Sequence, residues 1–182
     1  GWSFRTWAAG LAALQRLARH DLLPDVVRLS DVDEKRANLL NAGGTGARLL
    51  RGMLRTRGHR EGCLLVVGWE GLPDIVRART RAASSLLRSG GAIRLGSSVG
   101  ESWRKHRFGA PYTRDSLLDA GMLVETLETA ATWSALPTVY DSVRRALSTA
   151  LTSGGHRPLV MTHVSHGYPT GASLYFTALA DR

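Results

Sequence analysis

Residues 156–182 read HRPLVMTHVSHGYPTGASLYFTALADR, and the alternation within this stretch decides the fold. Two runs of period two flank the turn-rich loop from Gly167 to Gly171, the pattern of a β-hairpin with a five-residue connection. That loop sets His166 opposite Ala172, Ser165 opposite Ser173, Val164 opposite Leu174 and His163 opposite Tyr175. Because side chains alternate across a strand, His163, Ser165, Ser173 and Tyr175 then line one face, while Val164, Leu174 and Phe176 belong mainly to the other. A row of His, Ser and Tyr across paired strands suits the wall of a polar ligand site. The plain alternative is a solvated sheet face, since antiparallel sheets commonly leave one face in water.

Working outward, Trp133 to Leu151 carries Val139, Val143 and Leu147 on one helical stripe. Met122 to Thr129 alternates as a strand. Glu125 and Glu128, three apart on it, point to opposite faces, so a paired-carboxylate site of the glycosidase kind is not supported. Ser97 to Phe108 carries Trp103 and the basic tract RKHR at 104–107; Pro111 interrupts it, and Tyr112 to Asp115 reads as a turn or helix start with Arg114 as a capping or surface residue. Further back come a strand at Ala92 to Leu95, a helix at Leu72 to Ser89 closed by a left-handed cap at Gly90-Gly91, and a buried strand at Cys63 to Trp69. Residues 41–62, NAGGTGARLLRGMLRTRGHREG, read as a flexible connection. The run GGTG in it has neither a leading strand nor a following Gly-Lys-Ser/Thr, so it is not a phosphate loop.

At the N-terminal end, Trp7, Leu11, Leu14 and Leu17 recur at helical spacing behind Thr6 as N-cap, giving a helix over residues 6–20. Pro24 opens a short strand in which Arg28 faces away from Val27 and Leu29. Asp31 with Glu34 three residues on resembles a capping box for a helix towards Leu40. Strand, helix, strand thus occurs twice, at 1–30 and 63–96. The fold expected is α+β: ferredoxin-like repeats forming an antiparallel sheet with helices on one side.

A net charge of +9 raises nucleic acid or an anionic membrane surface as partners. The basic residues are scattered Arg with only Lys35 and Lys105 as lysines, and the strands lack neighbouring surface aromatics to stack bases, so a basic ferredoxin-like nucleic-acid module is the distant alternative. No nucleic-acid partner is expected. No stretch of eighteen apolar residues is present, and the first residues lack a signal-peptide pattern. Cys63 sits in an apolar run and reads as a core thiol. His163 and His166 point opposite ways on a strand with no ligand at zinc spacing, so no metal is expected. No Ser-His-acid elbow is visible.

Four motifs, VVRLSD at 26–31, RFGAPYTRD at 107–115, ETLETAATW at 125–133 and HVSHGYPTGASLYFT at 163–177, resemble in their order the C-terminal cap region of the FAD-linked oxidases, and among these the alkyldihydroxyacetonephosphate synthases. The resemblance implies a cap domain over residues 1–182 that covers a flavin held mainly by a separate FAD-binding domain. It also implies that this domain and a His-rich loop region beyond the hairpin are absent, so the chain is expected to be a fragment, inactive alone, cytoplasmic or peripheral to a membrane, and able to form a homodimer. In that family acyl-dihydroxyacetone phosphate exchanges its acyl group for a long-chain alcohol, with FAD as a covalent trap. Carried residue by residue, the resemblance makes Tyr175 the proton-transfer tyrosine, Arg114 the arginine that binds or polarises the anionic substrate, Thr126 a substrate-side hydroxyl and Arg28 a cofactor-side residue at the contact with the FAD domain. His163 joins the substrate residues through its cross-strand pairing with Tyr175. The nearest alternative is a 2-hydroxyacid oxidase or dehydrogenase with the same cap, because an Arg and a Tyr also suit a carboxylate.

Overall fold

The computed structural model describes residues 1–41 and 43–181; the side chains of residues 110 and 111 also lie outside the description. In chain order the elements are β1 (Trp2–Phe4), α1 (Trp7–Arg19), β2 (Val26–Ser30), α2 (Val32–Asn41), α3 (Gly44–Thr56), β3 (Cys63–Gly68), α4 (Pro73–Ser89), β4 (Ile93–Arg94), α5 (Ser98–His106), α6 (Ala110–Asp119), β5 (Leu123–Thr132), α7 (Leu136–Ser153), β6 (Leu159–Gly167) and β7 (Gly171–Ala180). Seven strands form one sheet in the order β4-β1-β3-β2-β6-β7-β5. Every pairing is antiparallel.

That order explains the repeated strand-helix-strand pattern. β1, α1, β2, β3, α4 and β4 make a ferredoxin-like unit in which β1 and β3 lie between β4 and β2. β5, α7, β6 and β7 repeat its first part, with β7 between β5 and β6. The two units meet where β2 pairs with β6, Leu29 opposite Val164 and Ser30 opposite His163. One continuous sheet results.

The apolar face of this sheet is the core. Phe4, Leu29, Leu65, Val164, Leu174 and Phe176 are fully buried there against Leu14 and Leu17 of α1, Leu87 of α4 and Leu136 of α7. Helix α1 starts where expected: the Thr6 side chain accepts a hydrogen bond from the Ala9 N–H at 3.1 Å. Gly10 lets this helix lie close on the sheet, since a Cβ there would sit 2.6 Å from Cys63 Sγ. Helix α4 ends at Gly90, and the next residue, Gly91, takes the left-handed conformation (φ 79°) that a side chain would strain. Cys63 is a buried free thiol, and burial pushes it up to about 12.

Two expectations are corrected. Residues 44–56 form helix α3 rather than a flexible connection, because Leu54 is buried and the Arg51 guanidinium donates to the Leu39 carbonyl, tying α3 to α2. Residue 42 of that stretch, and the interruption expected from the Pro111 ring, lie outside the described residues and side chains. The hairpin keeps the inner register, His163 opposite Tyr175 and Val164 opposite Leu174, but a bulge between Val164 and His166 shifts the outer pairs to His166 with Ser173 and Gly167 with Ala172. Ser165 is the extra residue. The loop is correspondingly shorter, with Tyr168 and Gly171 closing it through their backbone groups.

Candidate functional site

The side of the sheet opposite the core is polar where the two units meet. Arg28 leaves β2 on this side because Val27 and Leu29 are claimed by the core, and alternation leaves it no other direction. His163 leaves β6 on the same side, since its neighbours Thr162 and Val164 point into the core. Helix α2 follows β2 directly and lays Glu34 over both. The Glu34 N–H donates to the Asp31 side chain at 2.9 Å, as a capping box requires, but its carboxylate does not return to the cap. Instead Glu34 Oε1 accepts from Arg28 Nη2 at 2.6 Å and from His163 Nδ1 at 2.9 Å. Arg28 Nη1 lies 3.1 Å from His163 Nε2.

Hydrogen-bond chemistry fixes the tautomer in this trio. A guanidinium can only donate, so Nε2 of His163 accepts from Arg28 and Nδ1 carries the proton given to Glu34. Burial alone would raise the Glu34 carboxyl; the hydrogen bond from His163 and the Arg28 charge outweigh it and hold it at about 2. The satisfaction is incomplete. Glu34 Oε2 and Arg28 Nε are buried without a partner among the described residues.

Tyr175 stands beside the trio. Its ring stacks on His163 with centroids 5.1 Å apart and planes inclined by 26°. Its partner on the other side is Glu128 of β5, which accepts a 2.7 Å hydrogen bond from the bulged Ser165. Thr126 lies two residues along β5 from Glu128, opposite Thr177, exposed on this same face. The structure thus brings Arg28, His163 and Tyr175 into one run of contacts and places Thr126 near its end. Arg114 is exposed on α6 and makes no hydrogen bond or ion pair among the described residues. His163 is 5% exposed with both ring nitrogens taken by protein groups. The described residues hold no cluster of three or more His, Cys, Asp or Glu fit for a metal, and no helix long and apolar enough to cross a membrane.

The core side of the same seam carries a second charged cluster. Asp31, fully buried, takes Arg144 Nη1 at 2.5 Å and the Tyr140 hydroxyl at 3.2 Å on Oδ2, while Oδ1 holds the Glu34 N–H. Arg144 also donates to the Val160 carbonyl at 2.5 Å and to Asp33 at 2.7 Å. Tyr140 stacks on Trp7 at 4.7 Å. Burial raises the Asp31 carboxyl to about 6, against the pull of the Glu34 backbone N–H and the Arg144 charge. The Tyr140 hydroxyl is pushed up by burial and by the Asp31 charge. Sequence reasoning missed Arg144 and gave Glu34 only a capping role. The spacing of Asp31 and Glu34 was the available signal, and it does not tell where a carboxylate turns after capping.

Comparisons with known proteins agree with this fold. The family model described as FAD linked oxidases, C-terminal domain, matches residues 1–182. The chain is 27% identical over 185 residues to the alkyldihydroxyacetonephosphate synthase of Dictyostelium discoideum, covering 97% of this chain and 30% of that protein. With the synthase of the same name from Trypanosoma brucei brucei it shares 23% identity over 191 residues, 100% of this chain and 31% of that one. Two solved structures of alkyldihydroxyacetonephosphate synthase, in P1 and P212121 crystals, superpose with TM-scores of 0.84 and 0.89 at 26% and 25% identity, covering 98% and 100% of this chain and 35% and 34% of theirs. The chain spans about a third of the length of the relatives it matches.

Proposed function

This chain belongs to the family of FAD-linked oxidase C-terminal domains, and from that premise we propose that it is the substrate-covering cap of an alkyldihydroxyacetonephosphate synthase. The reaction would replace the acyl group of acyl-dihydroxyacetone phosphate by a fatty alcohol. The observation that carries this reading is the convergence of Arg28, His163 and Tyr175 on the sheet face opposite the core helices α1, α4 and α7, at the edge of α2. The full-length similarity to proteins named for that synthase supports it.

The residues present suit a flavin held mainly elsewhere. Arg28 keeps a 27% exposed side chain with a buried, unpartnered Nε, and hydroxyl-bearing Thr126 and Tyr175 stand on the same open face. Such a surface offers polar edge contacts rather than an apolar slot. FAD, held mainly by a separate domain, would supply the electrophilic chemistry of the reaction. The chain's own residues do the rest. The exposed Arg114 guanidinium binds the substrate phosphate as a charge-assisted, bidentate pair. Tyr175, whose hydroxyl has no partner among the described residues, gives and takes a proton at the reacting oxygen. His163 backs the Tyr175 ring from the substrate side of the hairpin, Thr126 hydrogen-bonds the substrate, and Arg28 faces the flavin-bearing domain.

The test is spectroscopic, on the full-length enzyme that contains this chain. Anaerobic palmitoyl-dihydroxyacetone phosphate is expected to bleach the flavin absorption and release fatty acid. An unchanged spectrum with that substrate, together with reduction by a 2-hydroxy acid, moves the assignment to the oxidase or dehydrogenase branch.

A further inference from the structure

We propose that Glu34 is the positioning residue for Tyr175, acting through the tautomer of His163; the inference rests on the reading of Tyr175 given above. Three observations carry it. First, Glu34 is the only side chain of α2 that reaches both Arg28 and His163 among the described residues, and one oxygen, Oε1, serves both. Second, the trio is not closed on itself. Glu34 Oε2 and Arg28 Nε are both buried and without a partner among the described residues, so hydrogen-bonding capacity is left unused on each side of the pair. A fully satisfied pair is available to this fold, as Asp31 shows on the other side of the same strands. Third, the ring held by Glu34 and Arg28 is the surface on which Tyr175 rests, at 5.1 Å between centroids.

The physical argument runs through the imidazole. Glu34 accepts the Nδ1 proton, which leaves Nε2 with a lone pair directed at Arg28. Both ring nitrogens are thereby tied, and the plane of the imidazole is fixed at two points. Tyr175 stacks on that plane, so its hydroxyl stands at a fixed height over the sheet. Without an acceptor at Nδ1 the ring is free to flip or take the other tautomer, which would set an N–H against the Arg28 donors. The imidazole would then turn away, and Tyr175 would lose its support. A displacement of the order of 1 Å in a reacting group costs up to about a hundredfold in rate. The charged neighbours of the Tyr175 ring are Glu128 from β5 and, beyond His163, Glu34 from α2 and Arg28 from β2.

Two measurements test the inference. Nitrogen-15 spectra of the histidine-labelled protein are expected to show His163 protonated at Nδ1 and bare at Nε2. A signal for the Nε2–H tautomer or for an imidazolium at neutral pH overturns the proposal, whether or not any variant folds. In the full-length holoenzyme, Glu34→Ala is expected to lower kcat roughly ten- to a hundredfold with KM and FAD occupancy within about twofold. Glu34→Gln, whose amide oxygen again accepts from Nδ1, is expected to restore most of the loss. A Glu34→Ala enzyme with normal kcat, or a Glu34→Gln enzyme as impaired as Glu34→Ala, overturns it. Failure of the underlying reading looks different: Tyr175→Phe would then turn over normally while the His163 tautomer stayed as described.

Discussion

The seam between β2 and β6 carries a charged cluster on each side, and the two differ in how completely they are satisfied. On the core side Asp31, Arg144, Asp33 and Tyr140 close on one another and on backbone groups, sealed under Trp7 and α7. On the open side Arg28, Glu34 and His163 form as tight a trio, yet each charged partner keeps a buried orphan. Both clusters come from the same short stretch, since Arg28, Asp31, Asp33 and Glu34 span β2 and the first turn of α2. Both clusters tie the two repeats of the fold together, and the one on the open side also holds polar groups beside Tyr175. Neighbouring residues on one strand and helix can thus serve different ends, and the face they reach decides which.

The largest effect on stability is expected from the sealed side. Arg144→Met leaves Asp31 buried and unpaired, and urea unfolding is expected to show a loss of about 3 to 5 kcal/mol. Equal stability in that variant would mean the core-side cluster does not hold the repeats together.

The pH dependence separates the clusters by sign. Asp31 sits above its ordinary 3.8, at about 6, so its contribution is fully present below about 3.8 and is lost as pH rises through about 6. Glu34 sits below its ordinary 4.5, at about 2, so its contribution is present above about 4.5 and is lost as pH falls through about 2. Each window is worth on the order of 3 kcal/mol. Urea midpoints across pH are expected to lose the upper slope in Asp31→Asn and the lower slope in Glu34→Gln. The reverse pattern would exchange the roles given to the two sides.

Smaller changes sharpen the comparison. Thr6→Ala removes the cap of α1, which seals the core side through Trp7, and is expected to cost about 1 kcal/mol. Ser165→Ala removes the exposed bond to Glu128 on the open side, and its expected cost is within about 0.5 kcal/mol. A larger loss there would make the bulge itself a stabilising element.

Much of this architecture could be read from the chain before any coordinates. Local chemistry announced α1 through Thr6, the end of α4 through Gly91, and the pairing of His163 with Tyr175 through strict alternation. What could not be read depended on long-range contact. Helix α3 looked like a linker because its glycines and arginines mask a short apolar repeat that only becomes useful once Leu54 finds the body of the domain. The bulge at Ser165 was invisible because one extra residue leaves the alternating pattern intact on either side. Arg144 lies 113 residues from Asp31, and nothing at either position names the other. Arg28 and Tyr175 were legible as residue types on a face. Glu34, which binds them into one unit, was legible only as a cap, since a sequence shows that a carboxylate is near and not which group it turns to.

The most direct test of the open face as the working side is Tyr175→Phe in the full-length enzyme, assayed for fatty-acid release alongside the visible spectrum of the bound flavin. Loss of turnover by roughly a hundredfold or more, with flavin content and unfolding midpoint unchanged, is the result expected. Normal turnover in that variant would contradict the account and leave the polar face a solvated surface.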